Sequence, residues 1–110
     1  MSAVTTHVLD SAAGKPAAGV GVILGQGAEG AVQIADATTD ADGRVTELGP
    51  DRLEPGTYRL RFDVGSYFSG RGQETFYPEI VVIFTLGDSN QHYHVPLLLS
   101  PFSYSTYRGS

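Results

Sequence analysis

The 110-residue chain contains no cysteine. A disulfide framework, a zinc site built on thiolates and a cysteine nucleophile are therefore excluded. Basic residues are also scarce, because seven Lys and Arg stand against twelve Asp and Glu and give a formal net charge of -5. We expect no nucleic-acid partner, since such partners are normally bound by a basic face that replaces the counterions of the phosphates.

Long apolar runs are missing as well. No stretch approaches the roughly 18 to 20 apolar residues that span a bilayer, and "MSAVTTHVLD" lacks the basic start and apolar stretch of a signal peptide. We therefore expect a cytoplasmic protein with no membrane partner. Neither a Gly-rich phosphate loop nor a Gly-x-Ser-x-Gly nucleophile motif occurs.

Helical periodicity of useful length is absent, and alternation of apolar and polar residues dominates instead. The pattern predicts an all-β sandwich of about eight short strands, formed by one domain that covers residues 1–110. The clearest predicted strand is 57–67, where Tyr58, Leu60, Phe62 and Val64 share one face. Residues 68–78 break the alternation, and we expect a loop there with at most one helical turn.

The stretch "EIVVIFTL", residues 79–86, is apolar on both faces of its predicted strand. A strand that is apolar on both faces in so small a sandwich indicates contact with a second subunit.

Three histidines are the first candidates for proton transfer, because an imidazole titrates near neutral pH. Alternation in "QHYHVPLLL" places His92 and His94 on the face opposite the core, provided that Pro96 does not shift the phase. Taken alone, this spacing is common in solvated surface residues. It is also compatible with a metal site, in which His7 would supply the third ligand.

The stretch "DADGR" resembles the start of a calcium loop but lacks the glutamate required at the twelfth position. A turn built on Asp42 and Gly43 explains those two residues and leaves Arg44 free for a function. The closing "SYSTYRGS", taken alone, is typical of an edge strand followed by a frayed end.

Together, these motifs give the chain a specific resemblance. The stretches "THVLDSAAGKPAAGV", "TTDADGRV", "FYPEIVVIF" and "HYHVPLLLSPFSYSTYRGS" resemble the transthyretin-related 5-hydroxyisourate hydrolases over essentially the whole chain. The terminal "YRGS" is the most specific of them, because it separates these hydrolases from the hormone-carrying transthyretins of the same fold.

The resemblance implies a prealbumin-like (transthyretin-like) sandwich that hydrolyses 5-hydroxyisourate, a product of urate oxidation, without metal or cofactor. It also implies a homotetramer, a dimer of dimers, with sites where the dimers meet. The implied catalytic residues are His7, Arg44 and His94, and the implied substrate-binding residues are Tyr107, Arg108, Gly109 and Ser110.

Three other classes of function stay open at this point. A carrier of small aromatic ligands in a transthyretin-like channel would bind without turnover. A metallohydrolase would lose activity to a chelator and regain it with zinc. A structural sandwich of the adhesive type would leave the terminal motif without a role.

The resemblance makes the C-terminus testable. Deleting residues 107–110, or adding a bulky tag after Ser110, should abolish most hydrolysis of 5-hydroxyisourate, because the last residues would line the site. The decay of freshly made substrate, followed by absorbance, measures the effect. An N-terminal tag is the control, and full activity of the deletion variant would contradict the role of this segment.

Overall fold

The computed structural model describes residues 2–29 and 32–109, and these fold into nine strands and one helix. The elements are β1 Val4–Asp10, β2 Lys15–Pro16, β3 Gly21–Gln26, β4 Val32–Thr38, β5 Arg44–Val45, β6 Gly56–Phe62, α1 Val64–Gly70, β7 Ile80–Leu86, β8 Tyr93–Leu99 and β9 Tyr104–Thr106. One sheet has the order β2-β1-β8-β9, with β5 also paired to β1, and the other has the order β4-β3-β6-β7. No helix in this part of the chain is long and apolar enough to cross a membrane.

The core lies between the two sheets and follows the alternation of the strands. Buried residues of β6 are Tyr58, Leu60 and Phe62, which occupy the predicted face. They pack in one hydrophobic cluster with residues of β1, β3 and β8, among them Val8 and Leu24. This arrangement confirms the predicted all-β sandwich.

The predicted strand 57–67 is wrong beyond Phe62, because the chain enters α1 at Val64. The carboxylate of Asp63 caps the helix by accepting a hydrogen bond from the backbone N–H of Ser66 at 3.3 Å. Val64, Tyr67 and Phe68 are the buried residues of α1. The sequence pattern did not reveal this helical spacing, because Val64 also fits the alternation of apolar and polar residues in the preceding strand.

The helix also lies further toward the N-terminus than predicted. Only residues 68–70 of the predicted loop 68–78 are helical.

Strand β8 keeps the predicted phase on both sides of Pro96. Tyr93, Val95, Leu97 and Leu99 are buried as expected. The regular pairs between β8 and β9 run only from Leu97 to Leu99, so none of them requires an N–H from Pro96. An interior proline is therefore accommodated here without a bulge.

A buried hydrogen bond joins the helix to the five-stranded sheet. The hydroxyl of Tyr67 donates to Asp10 Oδ2 at 2.7 Å, while Asp10 Oδ1 accepts the backbone N–H of Ala13 at 2.9 Å. Burial, followed by the hydrogen bond to Asp10, raises the pKa of Tyr67 to about 12. Asp10 is itself buried, so its carboxyl group depends on these partners.

Replacing Tyr67 by Phe should lower the free energy of unfolding by about 1 to 3 kcal/mol, because a buried carboxyl oxygen loses its donor. Urea denaturation measures this difference. Tyr77→Phe is the matched control, since among the described residues the Tyr77 hydroxyl makes one exposed contact, 3.5 Å from the carbonyl oxygen of Phe102. Equal losses in the two variants would contradict the structural role of the Tyr67 hydroxyl.

Candidate active site

Strand β1 places the sequence-predicted catalytic residues beside one another. His7 pairs with Arg44 of β5, and Thr5 pairs with His94 of β8. Paired residues on neighbouring strands share a face, as do residues two positions apart on one strand. His7, Arg44 and His94 therefore lie together on the outer face of the five-stranded sheet, with Thr5 between them.

The turn before β5 fixes the position of Arg44. Asp40 Oδ1 accepts the backbone N–H groups of Asp42 at 2.9 Å and of Arg44 at 3.0 Å. Gly43 has a φ of 75°, in the left-handed region, and a Cβ there would contact the carbonyl oxygen of Val8. The turn can pack against β1 because glycine has neither the Cβ nor the backbone restriction of other residues.

His7 is tied to the same turn. Its Nε2–H donates to the carbonyl oxygen of Asp42 at 2.9 Å, because a carbonyl can only accept. A neutral His7 ring therefore has its lone pair on Nδ1. The ring is half-buried, and the guanidinium of the neighbouring Arg44 is exposed.

His94 is half-buried and has a perturbed proton affinity. Burial is the main cause that lowers the pKa of His94 from its ordinary 6.5, and the charges of Arg44, His7 and His92 lower it further. His94 Nδ1 lies 2.8 Å from the hydroxyl oxygen of Thr5. The ring is therefore oriented by a neighbour, and its lowered pKa favours the neutral imidazole.

The C-terminal segment returns along β8 to the His94 ring. The N–H of Gly109 donates to the carbonyl of His94 at 2.8 Å in an isolated antiparallel bridge. A Cβ on Gly109 would lie 2.6 Å from His94 Cδ2 and 3.2 Å from Pro96 Cγ. Glycine is needed here because the imidazole and the proline ring occupy that space.

Arg108 contacts one residue of β8 and one residue of the loop that precedes β8. The Arg108 guanidinium donates to Gln91 Oε1 at 2.8 Å and lies over the Tyr93 ring, with Cζ 4.5 Å from the ring centroid. Tyr107 is exposed over 58% of its surface. The remaining predicted site residue, Ser110, lies outside the described residues.

Two cavities meet at His94. The first, of about 290 Å³, is lined by Thr5, Thr6, Arg44, Val45, Thr46, His92 and His94. The second, of about 260 Å³, is lined by Val82, Phe84, Thr85, Tyr93, His94, Val95, Thr106, Tyr107 and Arg108. His94 thus borders both the cavity that contains Arg44 and the cavity that contains Tyr107 and Arg108.

The three histidines do not form a metal-binding group. In residues 2–29 and 32–109, no three His, Asp or Glu side chains are close enough together to hold a metal ion. His92 and His94 both direct a ring nitrogen at the Thr5 hydroxyl, at 2.9 and 2.8 Å.

Sequence reasoning did not identify Thr5, and it considered His92 only as a surface residue or a metal ligand. The available signal was the position of Thr5 two residues before His7, which places both on one face of β1. The parallel pairing of β1 with β8, which brings Thr5 to His94, has no local sequence signal.

Comparisons with known proteins agree over nearly the whole chain. The model of the HIUase/Transthyretin family matches residues 4–109. The 5-hydroxyisourate hydrolase of Salmonella typhimurium is 49% identical over 96% of this chain and 79% of its own length. The Mus musculus protein of the same name is 47% identical over 99% of this chain and 96% of its own length.

Solved structures agree with the sequence relatives. The 5-hydroxyisourate hydrolase of Klebsiella pneumoniae has a TM-score of 0.88 at 36% identity, covering 97% of this chain and 98% of its own. Sea bream transthyretin in complex with thyroxine also has a TM-score of 0.88, at 34% identity, covering 96% and 93%. The predicted transthyretin-like fold is confirmed.

The proton affinity of His94 can be tested directly. In an NMR titration, His94 should show a pKa below 6.5, and Arg44→Gln should raise it, because the loss of a nearby positive charge favours the imidazolium form. Arg59→Gln is the control, because it changes the net charge by the same amount but lies on the opposite sheet. A His94 pKa that is the same in both variants would contradict the proximity of Arg44.

Proposed function

Because the chain belongs to the HIUase/Transthyretin family, we propose that it is a hydrolase that opens the six-membered ring of 5-hydroxyisourate. The product of this reaction is 2-oxo-4-hydroxy-4-carboxy-5-ureidoimidazoline, so the enzyme acts in urate degradation. Relatives that are 46% to 49% identical and match at least 96% of this chain carry the hydrolase name, which supports the assignment.

The observation that carries the proposal is the placement of His94 beside Arg44. Both line the same cavity, and the pKa of His94 is held below its ordinary value. A neutral imidazole can accept a proton from water at pH 7, whereas an imidazolium cannot. A guanidinium at the same cavity supplies donors for a flat ring rich in carbonyl and nitrogen acceptors.

The chemical step follows from these groups. His94 removes a proton from a water molecule as the water oxygen attacks a ring carbonyl carbon. The C–N bond of that amide then breaks, and the proton is returned to the departing nitrogen. No covalent bond to the enzyme forms, and no metal or cofactor is needed in this proposal.

Arg44 and His7 complete the step. Arg44 stabilises the negative charge that develops on the carbonyl oxygen, which is the usual task of a preorganised donor at such a site. His7, held by its hydrogen bond to the Asp42 carbonyl, positions the water or shuttles the proton.

The C-terminal residues form the other wall of the proposed site. Gly109 lets the main chain approach the His94 ring. Tyr107 and Arg108 border the second cavity, where they contact one edge of the substrate. We propose that Ser110, which lies outside the described residues, also binds the substrate, as the resemblance implies.

We also propose that the protein is a homotetramer with its sites between dimers. Strand β7 forms one edge of its sheet, and Ile83 on this edge exposes 54% of its surface. An apolar edge strand is a natural partner for a second copy of the chain. The exposed Tyr107 supplies further apolar surface near the proposed site.

Turnover tests the function and the two principal residues together. With 5-hydroxyisourate generated from urate in situ, the protein should accelerate its decay, followed by absorbance. His94→Ala should reduce kcat/KM by about 10²- to 10⁴-fold, and Arg44→Ala by about 10²- to 10³-fold.

Arg59→Ala, on the opposite sheet, is the matched control for the loss of an arginine and should retain the parent rate. Binding of the substrate without accelerated decay would replace this proposal with the carrier function. Parent-like rates in both active-site variants would show that other residues perform the chemistry.

A further inference from the structure

A chain of hydrogen bonds extends from the backbone near the N-terminus to the His94 ring. His92 Nδ1 lies 3.0 Å from the carbonyl oxygen of Ser2. His92 Nε2 lies 2.9 Å from Thr5 Oγ1, and the same oxygen lies 2.8 Å from His94 Nδ1. One hydroxyl group thus connects the two imidazoles.

The chemistry of each group sets the direction of these hydrogen bonds. A carbonyl oxygen only accepts, so His92 Nδ1–H must donate to Ser2. A neutral His92 ring then has a lone pair on Nε2, which accepts the single hydroxyl proton of Thr5. The hydroxyl oxygen, having used its proton, accepts Nδ1–H from His94.

The consequence is a defined tautomer of His94. With both rings neutral, the proton of His94 resides on Nδ1 and the lone pair on Nε2. Among the described residues, none makes a hydrogen bond to His94 Nε2. The nitrogen able to accept a proton is therefore the one without a partner in this part of the chain.

The backbone enforces this arrangement. Thr5 and His94 are direct partners in the parallel pairing of β1 with β8, and Thr5 is only 6% exposed. The main chain at Gly109 contacts the opposite edge of the ring, where a Cβ would come within 2.6 Å of Cδ2. The ring is thus held between the hydroxyl on one side and the glycine on the other.

We propose that Thr5 and His92 are positioning residues that hold His94 in the Nδ1–H tautomer, so that Nε2 is the base for the attacking water. The inference rests on the proposed hydrolase function for its kinetic consequence, but the tautomer itself does not depend on it. Neither residue needs to touch the substrate for this role.

The tautomer is measured by ¹⁵N NMR of the imidazole nitrogens at a pH where both rings are neutral. In the parent, His94 should show a protonated Nδ1 and an unprotonated Nε2. Thr5→Val, which is nearly isosteric, should shift the population toward Nε2–H. Thr5→Ser, which keeps the hydroxyl, should restore the parent spectrum.

His92→Leu is a second variant at an exposed position, where loss of folding is not expected. It removes the acceptor of the Thr5 proton, so the hydroxyl is free to donate to His94 Nδ1. The Nε2–H form of His94 should increase, as in Thr5→Val.

The kinetic expectation separates positioning from binding. Thr5→Val should lower kcat by about 10- to 100-fold, the range found for neighbours that orient metal-bound imidazoles, with KM nearly unchanged. Thr5→Ser should recover most of the rate.

The proposal is overturned if the parent His94 carries its proton on Nε2, or if its tautomer is the same in Thr5→Val and His92→Leu as in the parent. A parent protein without hydrolase activity would refute the proposed function instead. The NMR result would still decide the tautomer in that case.

Discussion

The hydrogen bond between the His94 ring and the Thr5 hydroxyl joins residues 89 positions apart, and it exists because β1 runs parallel to β8. The same strand β1 pairs with β5 on its other side, which brings Arg44 to His7. Every candidate catalytic group is therefore positioned by its register with β1. A shift of one residue in that register would turn these side chains into the core.

The C-terminal segment depends on the same strand pair. Leu97 pairs with Thr106, and the isolated bridge pairs His94 with Gly109. Each partner of the bridge is three residues from the corresponding partner of the first pair, so the register between β8 and the C-terminal segment is unchanged across Pro96. The proline has no N–H to offer, and the Thr106 hydroxyl donates instead to its carbonyl at 2.7 Å. This continuity explains why the main chain at Gly109 lies against the His94 ring rather than fraying from the sheet.

Local patterns were sufficient for much of the fold. Alternation identified the buried face of β6 and the outward direction of His94. Within a single strand, alternating apolar and polar residues show which side chains face the core. It failed at Val64, where a residue compatible with the strand pattern also begins the helical pattern of Tyr67 and Phe68. The helix begins after Asp63, whose carboxylate caps it through one hydrogen bond from the backbone N–H of Ser66. The alternation of apolar and polar residues does not reveal this bond.

The candidate site was less accessible from the residues alone. His7, Arg44 and His94 were named through resemblance, since their proximity arises from pairings between distant strands that no local pattern reveals. Thr5 was missed for the same reason. Arg108 was assigned to the site through the same resemblance, and its guanidinium contacts Gln91 and Tyr93. Contacts between aromatic rings and cations of this kind depend on the complete packing of the chain.

The most direct test of the account is a crystal structure of the protein with urate, a stable planar relative of the proposed substrate. We predict that urate lies on the outer face of β1, β5 and β8, with a carbonyl oxygen on the Arg44 guanidinium and a water molecule on His94 Nε2. Urate bound only among Val82, Phe84 and Tyr107, with no contact to Arg44, would contradict the account.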